Sequence, residues 1–478
     1  MTSYTKPMLA TLEDLVDELL LEILDYVSIR NRYDIDFKTW DGADEIESCV
    51  SMLHSLSLVT RKLHRVANPV LYSVLTYGGV ARHRRDFLRT AVRKPELAAL
   101  VKEVRFSYFD WSADNSGIPP DYADVLEAAK LVDLGTEEHI RPKFQNSLRE
   151  GFNDSDVALL FSRLPNLEIL EFEVDETWFH TWRWLLRLVR RAVERGTGPF
   201  CSLSHLKARY GNENQSGFNP LFIQDWVALP SLMNIEVSGA WCDERDGDRP
   251  LSLPSNSNIH ALSFWKSGLS NDFIRCALEA FSGLKTFCYD WGTYATCSSQ
   301  DYPEGIRNAL SIRQDTLEHI HLLMLADGSD FCMAALRADN NFLPFGSFKN
   351  FSRLKCLEVS DFLLMGATYN HFGIMTPMSE RESSFASMVD IFPPSLETLR
   401  VGSKRTGNRQ AQADYRVRFF GELLRRGGCL PNLRRLELVI HGGDEEDEKD
   451  GFYEMYVQSI ERIKELSRDS NVKFQVIS

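Results

Sequence analysis

The sequence predicts an α/β repeat protein, in which an all-α N-terminal segment precedes a solenoid of parallel strands and helices. Three observations lead there. A short apolar pattern, apolar-x-x-apolar-x-apolar, recurs from residue 101 to the end of the chain. The stretches between its copies carry apolar residues at helical spacing. Residues 11–27 carry a separate, wide apolar stripe with acids opposite it. A strand plus a helix is too small to bury its own apolar face, so neighbouring copies must stack.

Composition narrows the classes of function. The chain has 478 residues, of which 44% are hydrophobic and 26% charged, as expected of a folded chain. At ~150 residues per domain, that length fits about three domains or one long array. With 54 basic and 68 acidic residues the formal net charge is −14, which repels phosphate, so no nucleic acid is expected as a partner. Nine cysteines without a C-x-x-C pair speak against a zinc ribbon or a disulfide framework and for a reducing compartment. The N-terminus lacks an apolar signal region, and no run of ~18 uncharged apolar residues occurs. The expectation is an intracellular protein of cytoplasm or nucleus, with no membrane contact.

The best copies of the pattern are LPNLEILEF at 164–172, LPSLMNIEV at 229–237, FSRLKCLEV at 351–359 and LPNLRRLEL at 430–438. Weaker copies lie at 203–210, 258–264, 283–289, 316–322 and 395–401. Their first strong apolar residues fall at 167, 206, 232, 259, 284, 317, 354, 396 and 433. VKEVRF at 101–106 reads as an earlier copy and VKFQV at 472–476 as a terminal strand. Helical spacing fills 178–194, 271–283, 414–426 and 453–468. This array resembles the leucine-rich repeat superfamily in its irregular, long-repeat form, without the Asn that usually follows the strand. The competing fold is a doubly wound α/β enzyme, but the chain has no G-x-G-x-x-G, no G-x-x-x-x-G-K-S/T and no G-x-S-x-G. No catalytic residue, cofactor or metal is expected.

In TLEDLVDELLLEILDYV at 11–27, Leu12, Leu15, Leu19, Ile23 and Val27 recur at three- and four-residue steps, widened by Val16, Leu20 and Leu24. Thr11 or Asp14 is placed to cap this helix. VSMLHSLSLV follows at 50–59 and TRKLHRVANPVLY at 60–72. That order resembles the F-box: an apolar helix, a Leu-Ser-Leu-Val helix, then a basic helix ending in Pro-x-Leu-Tyr. Val16 stands where the family usually has Pro, and residues 28–47 form a polar, acidic insert expected to loop out. The organisation expected is an F-box over 1–75, a basic helical linker or cap over 76–100, and the array over 101–478.

F-box followed by leucine-rich repeats implies the substrate receptor of an SCF-type ubiquitin ligase. By that resemblance Leu15, Val16, Leu19, Ile23, Leu24, Leu56, Leu58 and Val59 dock on a Skp-family adaptor and, through it, a cullin. The repeats hold an unknown target protein, and the chain makes or breaks no bond. A non-enzymatic repeat scaffold, or an F-box protein acting outside a ligase, is the alternative. In a stacked array the first, fourth and sixth motif residues are buried and those between them project. The middle copies then present Ala261, Ser263, Trp265, Thr286, Cys288, Asp290, His319, His321 and Leu323. Trp291 follows at a strand end. Trp265, Asp290, Trp291, His319 and His321 are the candidate target contacts.

Four other features have both a functional and a structural reading. Residues 61–94 hold nine Arg or Lys against one acid, Asp86, a patch for an acidic partner or a solvated face. Residues 178–195 are basic, aromatic and amphipathic, suiting a membrane-surface or calmodulin-target helix, or a helix packed on the array. The acidic run at 444–450 reads as a solvated loop, since the Gly of an EF-hand is absent. Cys288 has no evident base beside it, so it is not read as a nucleophile.

Overall fold

The computed structural model describes residues 12–28, 40–78, 81–107, 123–135, 137, 139–150, 153–174, 182–210, 217–242, 253–291, 302–324, 341–342, 344–365, 367–369, 375–377, 390–404, 409–425, 430–441, 452–468 and 470–477. It is an α/β protein whose main strands run parallel. The chain divides into two compact units. One comprises Met1–Gly211 with Leu229–Ser231, the other Asn212–Ala228 with Leu232–Ser478.

The first unit opens with three helices: α1 Asp17–Val27, α2 Trp40–Ser57 and α3 Arg61–Leu71. The stripe forms as read, but α1 starts at Asp17, behind a 3-10 turn at Leu12–Asp14, and Val16 is its N-cap without a side-chain bond. Asp17 and Glu18 in the first turn offset the helix dipole instead. Thr60 caps α3 by accepting from the Leu63 N–H at 3.2 Å. Leu20, Leu24, Leu53, Leu63, Val66 and Ala67 form the core of the three helices, with Leu15 and Leu56 partly buried against it. Lys62 Nζ donates to the Leu15 carbonyl at 2.5 Å and Arg65 pairs with Asp17 at 2.6 Å, tying α3 to α1. The expected insert is shorter than its sequence suggested: residues 40–47 are already helical, and 29–39 lie outside the described residues.

Four strands follow, β1 Val74–Gly78, β2 Glu103–Ser107, β3 Ile169–Val174 and β4 His205–Tyr210, each paired parallel with the next. The array therefore begins at Val74, at the end of the segment 1–75 expected to be all helical, and β1 runs into the helical linker expected over 76–100; among the described residues of that linker, Ala81–Arg93 and Pro95–Ala98 are helical. The helix Arg183–Arg195 buries Trp184, Leu185, Leu188, Val189 and Ala192, and ends on Gly196 at φ 65, the left-handed stop that glycine adopts without a Cβ penalty. Its N-terminus is capped by a different helix. Asp154 of Asn153–Phe161 accepts from the Trp184 N–H at 2.7 Å and the Leu185 N–H at 3.2 Å. Burial outweighs those two bonds and the charge of Arg183, and leaves the Asp154 carboxyl raised to about 7.

The second unit carries β5 Asn234–Ser238, β6 Ala261–Ser267, β7 Thr286–Trp291 and β8 His319–Leu323. β9 Asn341–Phe342, β11 Ala367–Tyr369 and β12 Met375–Pro377 form a separate small antiparallel sheet. The main sheet of this unit continues with β10 Cys356–Ser360, β13 Thr398–Lys404, β14 Arg435–His441 and β15 Lys473–Ile477, in parallel order β5-β6-β7-β8-β10-β13-β14-β15. Helices Asn271–Ala280, Tyr302–Ser311, Arg409–Arg425 and Phe452–Ser467 lie between strands, where helical spacing was read at three of the four.

Apolar burial explains the repeat. Leu317, Ile320 and Leu322 of one copy, like Leu354, Leu357 and Val359 of the next, are buried at the first, fourth and sixth positions. Each such side chain contributes roughly 1.5–3 kcal/mol. A backbone device repeats with it: the carbonyl of the second motif residue accepts two N–H groups from the next copy. The His260 carbonyl takes Lys285 at 2.8 Å and Thr286 at 2.9 Å, and the Glu318 carbonyl takes Lys355 at 2.8 Å and Cys356 at 3.1 Å. The copy at 203–210 needs a shift of register. Ile169 pairs with His205 and Leu170 with Leu206, so Leu203 is its first position and Leu206 its fourth, with a small residue, buried Ala208, at the sixth.

Candidate functional site

On the helical segment, amphipathic spacing divides the eight candidate docking residues into two groups. Leu24 is buried in the core, and Leu15 and Leu56 rest partly against it, so these three hold the helices together and offer little to a partner. Val16 is 56% exposed, Leu19 46%, Ile23 43%, Leu58 70% and Val59 64%. Leu19 and Ile23 lie one turn apart on one side of α1, while Leu20 and Leu24 take the core side. Leu58 and Val59 sit in the turn after α2, held by Leu58 N–H to the Ser55 carbonyl and Val59 N–H to the Leu56 carbonyl. The His64 Nδ1–H donates to the Ser57 carbonyl at 3.0 Å and its Nε2 accepts from Asn68 Nδ2 at 2.9 Å, which fixes the same turn from α3.

On the second unit the strand alternation places Ala261, Ser263, Trp265, Thr286, Cys288 and Asp290 half-buried on one face, with His319 exposed and His321 half-buried beside them. Trp291 does not join them. It is 6% exposed because it follows Asp290 and so shares the parity of Phe287 and Tyr289, and its ring packs on Tyr289 at 4.4 Å. Leu323 has outward parity yet is buried; it stands opposite Asp290 in register and adds to the dry side of that carboxyl. Trp265 and His321 meet edge to face at 5.0 Å, across the strand that carries Cys288 and Asp290.

A bulge shapes this corner. β6 and β7 pair from Ala261↔Thr286 to Phe264↔Tyr289 and resume at Ser267↔Trp291, so Trp265 and Lys266 together oppose Asp290. Lys266 sits at φ 47, a left-handed conformation that costs a non-glycine residue roughly 1–2 kcal/mol. The surroundings hold it there. Ser267 Oγ donates to the Trp265 carbonyl at 2.8 Å and accepts from the Ala240 N–H at 3.1 Å, and the Gly239 N–H donates to the Trp265 carbonyl at 2.9 Å. The bulge aims the Lys266 N–H at the Asp290 carboxylate. Burial pushes Asp290 up to about 6, opposed by the charges of His321 and Lys266 and by that N–H.

From His321 a row of polar side chains crosses the face at the fifth motif position. His321 Nδ1 lies 3.0 Å from Glu358, Arg400 lies 3.6 Å from Glu358 and 2.5 Å from Glu437, and Gln475 Nε2 donates to Glu437 at 2.9 Å. Glu358 is lowered on balance, because His321 and Arg400 outweigh its burial. Glu358, Arg400 and Glu437 are not among the residues that motif spacing singles out. Their signal was the alternation Glu, Arg, Glu at the fifth position of three successive copies. Cys288 stands in register with His321, and burial pushes its thiol up to about 11, away from the reactive thiolate.

The remaining features are occupied locally. Of the basic patch, Arg65 pairs with Asp17, and Arg93 with Asp124 at 2.5 Å. The helix at Arg183–Arg195 spends its aromatic and aliphatic residues in the core. The acidic run at 444–450 lies outside the described residues. Among the described residues no cluster of three or more His, Cys, Asp or Glu could hold a metal ion, and no helix is long and apolar enough to cross a membrane. No protein-family model matches the chain, and a search of curated proteins returns no match.

Proposed function

We propose that this chain is the target-recognition subunit of an SCF-type ubiquitin ligase, with residues 12–72 acting as an F-box on a Skp-family adaptor and the strand–helix copies acting as leucine-rich repeats. The observation that carries the reading is the exposed group Val16, Leu19, Ile23, Leu58 and Val59 on a helical segment whose core is already complete without them. Apolar side chains grouped on a surface favour a partner that covers them. A full burial is worth ~1.5–3 kcal/mol per side chain and about half remains to be gained, so the five offer on the order of 4–8 kcal/mol. That is less than eight residues would give, and association costs consume part of it. Polar contacts must supply the rest. The chemistry is proximity: a lysine of the bound target is held near a conjugating enzyme carried elsewhere in the assembly. Such a protein works inside the cell, in cytoplasm or nucleus.

The test is Leu19→Asp with Ile23→Asp in the full chain. Adaptor pull-down should be lost while the thermal melting profile stays within a few degrees of the parent. Adaptor capture equal to that of the parent chain would remove the docking assignment.

A further inference from the structure

The main sheet of the second unit ends on β15, and among the described residues no strand pairs with its far side. Parity fixes which groups lie open there. The Lys473 N–H donates to the Arg434 carbonyl, just before β14, at 2.9 Å. Lys473, Gln475 and Ile477 therefore turn their backbone groups toward β14, and Phe474 and Val476 turn theirs outward. The side chains of the same two residues are only half-buried, although their register partners Leu436 and Leu438 are buried completely. Phe474 has Phe420 against it at 5.7 Å; in earlier copies the next strand supplies the rest of the cover. The edge is also poorly defended. It has no proline, and its one charge, Lys473, stands at the first position.

We propose that this edge pairs with the same edge of a second copy of the chain, antiparallel about a two-fold axis at Gln475. Phe474 then stands opposite the partner's Val476, and Val476 opposite the partner's Phe474. The outward N–H and C=O groups exchange four hydrogen bonds, and every bond to β14 is kept. On the inner face each half-buried side chain gains an apolar neighbour in the place of a further copy. On the other face Gln475 meets the partner's Gln475. Its Nε2 donates one N–H to Glu437 at 2.9 Å, which leaves a second N–H and the Oε1. A carboxamide with both a donor and an acceptor is complementary to itself, as a residue on a two-fold axis must be. Charge favours the same register. Lys473 lies opposite the partner's Ile477, so the two lysine positions stand four residues, ~13 Å, apart. Centring the pairing on Phe474 halves that distance and separates the two amides. These features match when the two strands are identical, which selects a second copy over a foreign strand. The contact is small beside that of a permanent dimer, so association in the micromolar range is expected. The inference goes beyond target recognition and does not depend on adaptor docking.

Sedimentation equilibrium of the full chain across the micromolar range tests it. The mass should rise with concentration from 54.7 kDa toward twice that value. Val476→Pro removes an outward N–H and none of the bonds to β14, and proline is tolerated on an edge strand. That variant should melt within a few degrees of the parent and keep the monomer mass throughout. Gln475→Cys sets two thiols across the axis at a Cα separation of ~4.5 Å, within the span of a disulfide. Mild oxidation should then give a covalent dimer that reductant reverses. The parent, with its nine cysteines, should not form it, nor should Gln475→Cys combined with Val476→Pro. A parent that stays monomeric at every concentration, a dimer that survives Val476→Pro, or a Gln475→Cys chain that cross-links no more than the parent would overturn the pairing. The Leu19→Asp, Ile23→Asp chain should dimerise like the parent, so loss of adaptor binding and loss of this edge are read separately.

Discussion

On α1, Leu20 and Leu24 are buried while Leu19 and Ile23 of the same helix remain 46% and 43% exposed. On β6, β7 and β8 the inward residues Leu262, Phe264, Phe287, Tyr289, Ile320 and Leu322 are all buried almost completely. The two regions share an apolar content and differ in where it goes. A strand in a stacked array has a neighbouring copy on each side and loops and helices over its inner face, so each apolar residue finds cover within the chain. Three short helices have one small core between them, and a stripe as wide as that of α1 exceeds it. The surplus on the helices and the full use on the strands therefore separate an apolar surface left open from one closed within the chain.

The largest expected effect tests that contrast directly. Phe264→Ala removes a fully buried ring that packs on Phe273 at 5.8 Å and should cost ~3–5 kcal/mol in denaturant unfolding. Ile23→Ala should cost under about 1 kcal/mol by the same measurement, since little of its side chain is withdrawn from water. Similar costs at the two sites would mean that the α1 stripe is covered from within the chain, and the contrast would collapse.

A polar anchor inside the array comes next. Asp154→Ala leaves the Trp184 and Leu185 N–H groups without acceptors and should cost ~1–3 kcal/mol. The pH dependence has the opposite sign to that of a salt-bridged carboxylate. With its pKa raised from 3.8 to about 7, the folded chain holds a proton there that the unfolded chain releases. Stability from this group is therefore greatest below pH 3.8 and falls as pH rises toward 7. Asp154→Asn keeps one acceptor and has no charge to desolvate, so its unfolding midpoint should lack this fall. Urea midpoints of parent and Asn variant at pH 5 and pH 8 check it: the Asn variant should lose less between the two, and an equal loss would place the titration elsewhere.

Sequence reading reached the array through its spacing. The first positions that the spacing marks, Leu167, Leu232, Ile259, Leu284, Leu317, Leu354, Leu396 and Leu433, are all buried two residues ahead of a strand. It failed where side chains of other sizes take those places. β1 was missed because its copy reads Tyr72, Leu75, Tyr77 in place of three aliphatics, and the copy at 203–210 slipped because Ala208 fills the sixth position. The start of α2 was hidden because residues 40–47 are polar and acidic. On the face, alternation placed Trp265, Asp290 and His321 correctly, and the same alternation assigns Trp291 to the interior. The row from His321 to Gln475 joins residues 37 to 42 positions apart at each step, so no local window holds it; only the register of stacked strands brings it together. Which apolar residues of α1 would be left over was likewise invisible, because the stripe is wider than the core and tertiary packing decides its inner edge.

The smallest expected effect probes the strained residue of the bulge between β6 and β7. Lys266 holds φ 47 inside a bulge fixed by Ser267, Gly239 and Ala240. Glycine adopts that conformation freely, and the bond to Asp290 comes from the backbone N–H, which glycine keeps. Its greater entropy in the unfolded chain offsets part of the relief. Lys266→Gly should therefore raise stability by roughly 0.5–1 kcal/mol, read as a small upward shift of the denaturation midpoint. A variant that is less stable than the parent would show that the lysine side chain itself holds the bulge, and that its contacts outweigh the backbone strain.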